Sequence, residues 1–221
     1  MRIESVEQLR KLEKKYRRET ESHPVRVHIC YGPGCLANGA QEIGDRFRKV
    51  IKEKKLKNFK VEAIKETGCH GFCERGPLVV LEPEGTFYTK VKVKDVEAIV
   101  EKSLAKSEII ESLLYTNPAD DKKIQRYKDI PFYAHQKRIA LRNLGQIDQT
   151  SLHDYIAAGG YQGLAKALTA MKPDKVIKEV ELSGIRGRGG GGFATGRKWA
   201  TCAKIESDVR YVICNGDEGD P

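Results

Sequence analysis

The sequence predicts an α/β protein, because short apolar strands alternate with amphipathic helices in the first half of the chain. Residues 25–29 alternate between apolar and polar side chains and form a half-buried strand that ends at Cys30. Residues 36–54 carry apolar side chains at helical spacing, and residues 59–65 predict a second strand. Because a strand–helix–strand crossover is right-handed, the two strands should be parallel, with their carboxyl ends at the same edge of the sheet.

Further elements complete this first unit. A capping-box motif beginning at Ser5 predicts an N-terminal helix. Residues 78–81 predict a buried strand, residues 87–93 its hairpin partner, and residues 95–104 a closing helix. The predicted order is therefore α-β-α-β-β-β-α, and it ends near residue 107.

Four cysteines follow the two parallel strands as Cys30-x4-Cys35 and Cys69-x3-Cys73. Thiolates are soft donors that suit iron–sulfur clusters, and the predicted topology brings both pairs to one sheet edge. A zinc site is an alternative, although structural zinc sites more often use C-x2-4-C pairs. A redox dithiol or unliganded structural thiols also remain open. A disulfide framework fits poorly, because the N-terminus has no apolar segment typical of secretion.

A glycine-rich segment at residues 184–199 is the second notable feature. Gly187-x-Gly189-x-x-Gly192 satisfies GxGxxG formally, but a helix predicted at residues 173–182 precedes it, where a dinucleotide fingerprint requires a strand. Backbone amides of such a run can still approach a phosphate or a ring closely, ahead of the next helix N-terminus. Flanking positive charge comes from Arg186, Arg188, Arg197 and Lys198. An RGG-like RNA-binding loop is less consistent with this single, unrepeated cluster.

An apolar strand predicted at residues 209–214 runs into the acidic segment 215–221. Polar side chains at the carboxyl end of a buried strand are typical of ligand sites in α/β sheets. A solvated acidic turn is the alternative interpretation. We interpret Cys202 and Cys214 as non-ligands, because Cys202 has no nearby partner in sequence and Cys214 lies in the apolar strand.

Residues 1–107 resemble the thioredoxin-like 2Fe–2S ferredoxin family, by the order of elements and the two cysteine pairs. The resemblance implies that one 2Fe–2S cluster is ligated by Cys30, Cys35, Cys69 and Cys73. It also implies that Pro77 is the cis-proline of that fold. His70 is interpreted as a loop residue, since four cysteines complete the ligand set. Gly34, Gly68 and Gly71 allow backbone N–H groups to turn toward the sulfide of a cluster.

The glycine-rich and acidic segments, over residues 173–221, resemble the flavin- and NADH-binding subunit of respiratory complex I and its soluble relatives in NAD(P)-linked hydrogenases and formate dehydrogenases. The resemblance implies an FMN pocket and an NAD(P) site, with Phe193 stacking on the nicotinamide or adenine ring and Glu218 and Asp220 lining the dinucleotide side. The residues expected to contact FMN or shape its pocket are Gly187, Arg188, Gly189, Gly190, Lys198, Asn215, Asp217 and Glu218. No catalytic acid or base is expected.

Three regions follow from these resemblances. Residues 1–107 form the ferredoxin domain, residues 108–172 a linker packed on the flavin domain, and residues 173–221 the start of an FMN-binding domain. The sequence is expected to be a fragment, with a 4Fe–4S motif beyond residue 221, and to hold the 2Fe–2S cluster but not FMN by itself.

The net charge of +9 comes from basic residues that are interspersed with acidic ones, which argues against nucleic-acid binding. The absence of a long apolar run predicts no membrane span, and we expect a cytoplasmic protein. The expected function is electron transfer between NAD(P)(H), FMN and iron–sulfur clusters, alongside other subunits of a hydrogenase- or formate-dehydrogenase-type complex, with pairing of two ferredoxin domains as a further expectation. A standalone 2Fe–2S carrier or docking module and a zinc-stabilised nucleic-acid-binding protein are the alternatives.

Overall fold

The computed structural model describes residues 2–55, 59–211 and 213. They fall into two compact units, Met1–Gly160 and Tyr161–Pro221. The two units are described separately below.

The first unit is built on a four-stranded sheet with the order β2-β1-β3-β4. Its strands are β1 (Arg26–Cys30), β2 (Ile64–Thr67), β3 (Val79–Glu82) and β4 (Thr86–Tyr88). β1 is parallel to β2 and antiparallel to β3, and β3 pairs with β4 in an antiparallel hairpin. The predicted parallel pair is therefore confirmed, with Cys30 opposite Thr67 at its carboxyl end.

Helices accompany the sheet in the predicted order. They are α1 (Val6–Glu21), α2 (Pro33–Ala37), α3 (Ala40–Lys54) and the short α4 (Val96–Ala98), which continues as a π-helix at Ile99–Leu104. The Ser5 hydroxyl accepts the Gln8 N–H at 3.1 Å, and so satisfies one of the free donors at the start of α1.

One apolar core lies between the sheet and these helices. Phe47 and Val50 of α3, Ile29 of β1 and Ile99 of the π-helix are completely buried in it. Burial of a side chain of this size contributes roughly 1.5–3 kcal/mol. The alternating pattern of the strands and the helical spacing of α3 thus predict the core-facing residues.

Two predicted strands differ from the structure at their boundaries. The strand expected over residues 59–65 begins as a 3-10 turn at Val61–Ala63, and regular pairing starts only at Ile64. The strand expected over residues 87–93 ends at Tyr88, because Lys90 adopts a positive φ of 51° that turns the chain out of the sheet. Alternation of apolar residues marks burial, but it does not locate such turns.

Residues 108–160 belong to the first unit. The expectation that the linker 108–172 packs on the flavin domain stays a prediction. Backbone bridges join Leu114 to Tyr88, Arg126 to Thr86 and Asp148 to Thr67. The segment contains 3-10 turns at Glu111–Leu113 and Tyr127–Asp129, the strands β5 (Tyr115–Thr116) and β6 (Lys123–Ile124), and the helices α5 (Pro131–Ala134) and α6 (Leu152–Ala157).

Helix α6 is held against the sheet by charge and by packing. Asp154 accepts a hydrogen bond from Lys65 of β2 at 2.6 Å and another from the Asp148 N–H at 3.1 Å. The His153 ring stacks on Tyr16 of α1 with 4.1 Å between the ring centroids, and Ile156 is completely buried. The apolar contact and the buried ion pair together fix this segment on the first unit.

The second unit contains α7 (Gln162–Ala170), α8 (Pro173–Ser183) and α9 (Thr195–Ala203). The helix predicted before the glycine-rich segment is confirmed, with Gly184 at a φ of 66° as its C-cap. A Cβ on Gly196 would lie 2.5 Å from Glu181 Cα, so α8 and α9 cross closely at this glycine.

The strand predicted over residues 209–214 does not form in its described part. Residues 209–211 and 213 have no regular structure, and Val209, Tyr211 and Ile213 are largely exposed. An apolar run becomes a strand only where a neighbouring backbone accepts and donates its hydrogen bonds, and these described residues have no such neighbour. Cys214 lies outside the described residues.

None of the helices in the described part of the chain combines the length and the apolar character that a bilayer crossing requires.

The Lys65–Asp154 ion pair predicts a measurable contribution to stability. Asp154→Asn keeps the size of the side chain but removes the charge opposite the partly buried Lys65, so we expect the free energy of unfolding to fall by about 2 kcal/mol. Glu7→Gln is the matched control, because Glu7 pairs with Lys11 on the exposed face of α1. It should cost at most about 0.5 kcal/mol. Urea unfolding, monitored by circular dichroism, measures the free energy of unfolding of both variants. Equal losses in the two variants would contradict a stabilising role for the Lys65–Asp154 ion pair.

Candidate functional site

The two cysteine loops meet at the carboxyl edge of the β1–β2 pair. Cys30 is the last residue of β1, and Cys35 lies in α2, which the Gly32–Pro33 turn begins. Cys69 and Cys73 lie in the loop after β2, with 3.9 Å between their sulfur atoms. Cys35 and Cys69 both lie near enough to Cys30 to lower the pKa of its thiol, so both pairs lie at this edge of the sheet.

Glycines line the space around these sulfurs. A Cβ on Gly76 would lie 2.7 Å from Cys35 Sγ, and one on Gly32 would lie 3.0 Å from Cys69 Sγ. A Cβ on Gly34 would lie 3.4 Å from Cys73 Sγ. Glycine at these positions lets the backbone pass close to the thiols, and a larger residue would press its side chain against the sulfur atoms.

Backbone donors also reach the sulfurs. The Gly71 N–H donates to Cys69 Sγ at 3.2 Å, and Gly71 has the positive φ of 76° that favours glycine. Gly68 instead packs close to the Leu144 side chain. N–H donors to sulfur stabilise thiolates and tune the reduction potential of a bound cluster.

The thiols differ in acidity because they interact with one another. The hydrogen bond with the Cys35 thiol lowers the pKa of Cys30 to about 6, and the same contact raises the pKa of Cys35. Burial raises the pKa of Cys69. The Cys30 thiol therefore ionises more readily than the Cys35 thiol. Metal or cluster binding would displace the remaining protons, since thiolates are the ligands.

His70 lies between the ligand candidates but is positioned by the protein. Its Nε2 atom is 3.2 Å from Thr67 Oγ1, and its ring is almost completely buried. Burial lowers its pKa to about 3, and the charges of His28 and Arg138 act in the same direction. A neutral ring bonded to Thr67 agrees with its interpretation as a loop residue.

An aromatic cluster covers the loop that carries Cys69 and Cys73. Phe72 of that loop stacks on Phe132 of α5, with 4.9 Å between centroids, and lies edge-on to Tyr133. Tyr133 in turn stacks on Tyr127, with centroids 4.0 Å apart. The residues after position 108 therefore contribute directly to the surroundings of the thiols.

This donor set fits an iron–sulfur cluster. The four thiols form two contacting pairs, Cys30 with Cys35 and Cys69 with Cys73, in a glycine-lined cradle. Two pairs of thiols match the four-cysteine ligation of a two-iron cluster. Across residues 2–55, 59–211 and 213, no three His, Cys, Asp or Glu side chains group as a site for one metal ion.

In the second unit, the glycine-rich segment forms an exposed loop ahead of α9. The Gly187 N–H donates to the Phe193 carbonyl at 2.9 Å, and the Thr195 N–H to the Ile185 carbonyl at 3.0 Å, so these bonds close the loop. Gly190 has a φ of 89°, a conformation that side chains disfavour. Residues 187–191 of the loop are exposed to solvent, next to the start of a helix.

The predicted flavin residues divide between described and undescribed parts of the chain. Gly187, Arg188, Gly189 and Gly190 lie together in the exposed loop, Phe193 closes it, and Lys198 lies in α9. The Arg197 guanidinium lies 5.9 Å from the centroid of the Phe193 ring. Four predicted residues lie outside the described residues: Asn215, Asp217, Glu218 and Asp220. Their roles stay predictions.

Several residues at the thiol site carry no specific signal in the sequence. Gly76 precedes Pro77, whose cis peptide bond was expected and is confirmed. Tyr127, Tyr133 and Arg138 come from the segment that the sequence analysis treated as a linker. Their only sequence signal is the high aromatic content of that segment, which does not specify a contact partner.

Two family models match the two ends of the chain. Residues 3–104 match the thioredoxin-like [2Fe-2S] ferredoxin family, and residues 180–221 match the Nuo51 FMN-binding domain. The first match covers all four thiols, and the second covers the glycine-rich loop. The resemblances stated from the sequence are confirmed, and so is the α/β fold class with its thioredoxin-like ferredoxin unit.

Curated relatives match this chain in part. The NADP-reducing hydrogenase subunit HndC of Solidesulfovibrio fructosivorans is 56% identical over 86 residues, which cover 39% of this chain and 17% of the relative. An NADH-quinone oxidoreductase subunit of Escherichia coli is 46% identical over 71 residues, 32% of this chain and 16% of the relative. The NAD-reducing hydrogenase HoxS subunit alpha of Cupriavidus necator is 26% identical over 205 residues, 90% of this chain and 31% of the relative. The chain spans under a third of each.

The cradle geometry predicts that Gly76→Ala disturbs the thiol site. The new Cβ would lie 2.7 Å from Cys35 Sγ and force that sulfur to move, so cluster content after anaerobic purification should fall severely. Gly163→Ala is the control, because a Cβ there meets nothing within 4 Å, and alanine favours helix α7. Visible absorbance per chain measures both. A Gly76→Ala protein with full cluster content would contradict the assignment.

The ligand assignment predicts opposite results for two cysteine substitutions. Cys35→Ser should abolish or severely destabilise the cluster, because it removes a buried thiol that contacts Cys30. Cys202→Ser should leave the visible spectrum intact, since Cys202 is an exposed residue of α9. Loss of the cluster from the Cys202→Ser protein would show that the ligand set is wrong.

Proposed function

We propose, from the match of residues 3–104 to the thioredoxin-like [2Fe-2S] ferredoxin family and of residues 180–221 to the Nuo51 FMN-binding domain, that the chain is the electron-transfer part of an NAD(P)H-linked oxidoreductase subunit. The matched relatives are named as subunits of hydrogenases and of NADH-quinone oxidoreductase, which supports a role in such a complex.

The observation that carries the proposal is the convergence of Cys30, Cys35, Cys69 and Cys73 at one sheet edge. These residues would hold a 2Fe–2S cluster. The Gly71 N–H would keep donating to Cys69, and the neutral, buried His70 would exclude water from that side of the loop. A cluster in this place is a one-electron relay whose potential the surrounding protein sets.

The flavin part of the proposal rests on the exposed glycine loop. Bound FMN would accept a hydride from NAD(P)H and release electrons singly to iron–sulfur clusters. The amides of Gly187, Gly189 and Gly190 would approach the flavin, while Arg188 and Lys198 would offer positive charge to its phosphate. Phe193 would stack on a ring of the dinucleotide.

The remaining flavin-site residues in this proposal are Asn215, Asp217 and Glu218 on the FMN side, with Glu218 and Asp220 lining the dinucleotide. We also propose that sequence beyond residue 221 holds a 4Fe–4S cluster, and that diaphorase activity requires that further sequence. A cytoplasmic location and pairing of two ferredoxin domains are also part of the proposal. Residues 1–107 are proposed as the ferredoxin domain and residues 173–221 as the start of the flavin domain. Residues 108–172 join them, with residues 108–160 packed on the first unit.

A standalone 2Fe–2S carrier is the second candidate. It is favoured by one observation: the proposed cluster ligands all lie in the first unit, where the described contacts join them. A carrier of this kind would exchange electrons through the cluster without flavin chemistry.

NADH separates the two candidates. We expect a chain extended to the length of its relatives to bind FMN, and NADH to bleach its cluster absorbance under anaerobic conditions. In that protein Lys198→Ala should weaken FMN binding about tenfold, the effect of losing one charge-assisted contact to phosphate. Lys175→Ala in α8 is the control and should bind FMN normally. If dithionite but not NADH bleaches the cluster absorbance, and the extended protein binds no FMN, the result would support the standalone 2Fe–2S carrier instead.

A further inference from the structure

The loop between Cys69 and Cys73 is held by a residue from outside the ferredoxin match. Arg138 donates from Nη2 to the His70 carbonyl at 3.2 Å and from Nη1 to Tyr127 Oη at 3.0 Å. Its Nε donates to Gln136 Oε1 at 3.0 Å. The planar guanidinium thus joins the segment after residue 108 to the backbone between two candidate ligands.

The guanidinium also lies over an aromatic ring at this site. Arg138 Cζ is 5.2 Å from the centroid of the Tyr133 ring. Tyr133 in turn stacks on Tyr127, which accepts the hydrogen bond from Arg138. A cation over a partly desolvated ring is held by the ring quadrupole. The orientation of Arg138 is therefore fixed from two sides.

The same segment contacts the loop at a second, independent place. A Cβ on Gly145 would lie 2.6 Å from His70 Cε1, so the Gly145 backbone abuts the His70 ring. The Gly145 carbonyl is 3.2 Å from His28 Nδ1, in β1 beside the other cysteine pair. Gly68, just before Cys69, packs close to Leu144. Residues 138–145 thus form a strap over the loop, defined here by Arg138, Leu144 and Gly145.

The charge of Arg138 is not neutralised within the strap. Its three acceptors are an amide oxygen, a phenol and a backbone carbonyl, and no carboxylate in the described ranges forms an ion pair with it. The neighbouring His70, Tyr127 and Tyr133 are buried or partly buried, which lowers the local dielectric constant. A fixed positive charge acts strongly in such surroundings.

We propose that Arg138 is a positioning residue for the cluster: it fixes the Cys69–Cys73 loop, and its charge raises the reduction potential. The proposal rests on the proposed 2Fe–2S site. Reduction adds one electron, and so one unit of negative charge, to the site, which a nearby guanidinium favours. The strap would thereby make the cluster a better electron acceptor than the same cluster would be in a ferredoxin domain that lacks the strap.

Three variants of the cluster-loaded chain test this proposal by redox titration of the visible absorbance. Arg138→Gln should lower the midpoint potential, because the charge is removed and only part of the hydrogen bonding remains. Arg138→Lys should keep a potential near that of the unaltered protein, since the charge remains. Arg142→Gln is the matched control, because Arg142 is exposed on the same segment and donates to the Ile139 carbonyl at 3.5 Å. Its potential should not change.

Each outcome decides the matter. An unchanged midpoint potential in Arg138→Gln, or an equal drop in Arg142→Gln, overturns the proposal. Neither result would affect the assignment of the 2Fe–2S site. If Arg138→Gln loses the cluster, recovery of both cluster and potential in Arg138→Lys supports the proposal, and failure of that recovery overturns it. A purely structural role would alter cluster content without moving the potential. An unaltered chain that binds no cluster would overturn the proposed function, and the inference with it.

Discussion

The parallel pairing of β1 with β2 is the constraint on which the thiol site depends. Both strands end at the same edge of the sheet, so the chain delivers Cys30 and, two residues after Thr67, Cys69 to one place. The β1–β3 pairing fixes β1 from its other side. A one-residue slip of β1 would move Val27 and Ile29 from the apolar core to the face where His28 lies, so core packing fixes the register. The position of the sulfurs is thus set by the core.

Glycine and backbone geometry convert this topology into a binding site. Gly32 and Gly76 bring backbone to within van der Waals distance of cysteine sulfurs, and Gly71 turns an N–H toward Cys69. The neighbouring Cys35 thiol lowers the pKa of Cys30. The site is therefore partly organised for ligation by the protein alone, which limits the ordering that cluster binding would require.

Sequence reasoning predicts those parts of the fold that depend on local pattern. The spacing of apolar residues in α3, the cap at Ser5 and the helical pattern of residues 173–182 are local signals, and the structure contains all three helices. The two cysteine pairs are visible in the sequence, and their position at one edge of the sheet follows from the handedness of the strand–helix–strand crossover. The early end of β4 at Tyr88 did not, because a positive φ at Lys90 has no signature in composition.

The position of residues 108–160 shows the limit of this reasoning. Aromatic density at Tyr127 and Tyr133 predicts that the segment packs, but it does not say against what. Its partners are specified by contacts across the fold, such as Lys65 with Asp154 and the His70 carbonyl with Arg138. The flavin loop is the converse case. Its glycines and flanking charges are readable in sequence, while its predicted partners Asn215 and Asp217 lie outside the described residues.

Iron and acid-labile sulfide analysis of the anaerobically purified chain, combined with electron paramagnetic resonance after reduction, tests the central claim most directly. Four thiols at one sheet edge predict about two iron and two sulfide per chain, and a paramagnetic signal that appears only on one-electron reduction. Stoichiometric zinc without sulfide, or a chain that takes up neither metal, would contradict the assignment of Cys30, Cys35, Cys69 and Cys73 as the ligands of a 2Fe–2S cluster.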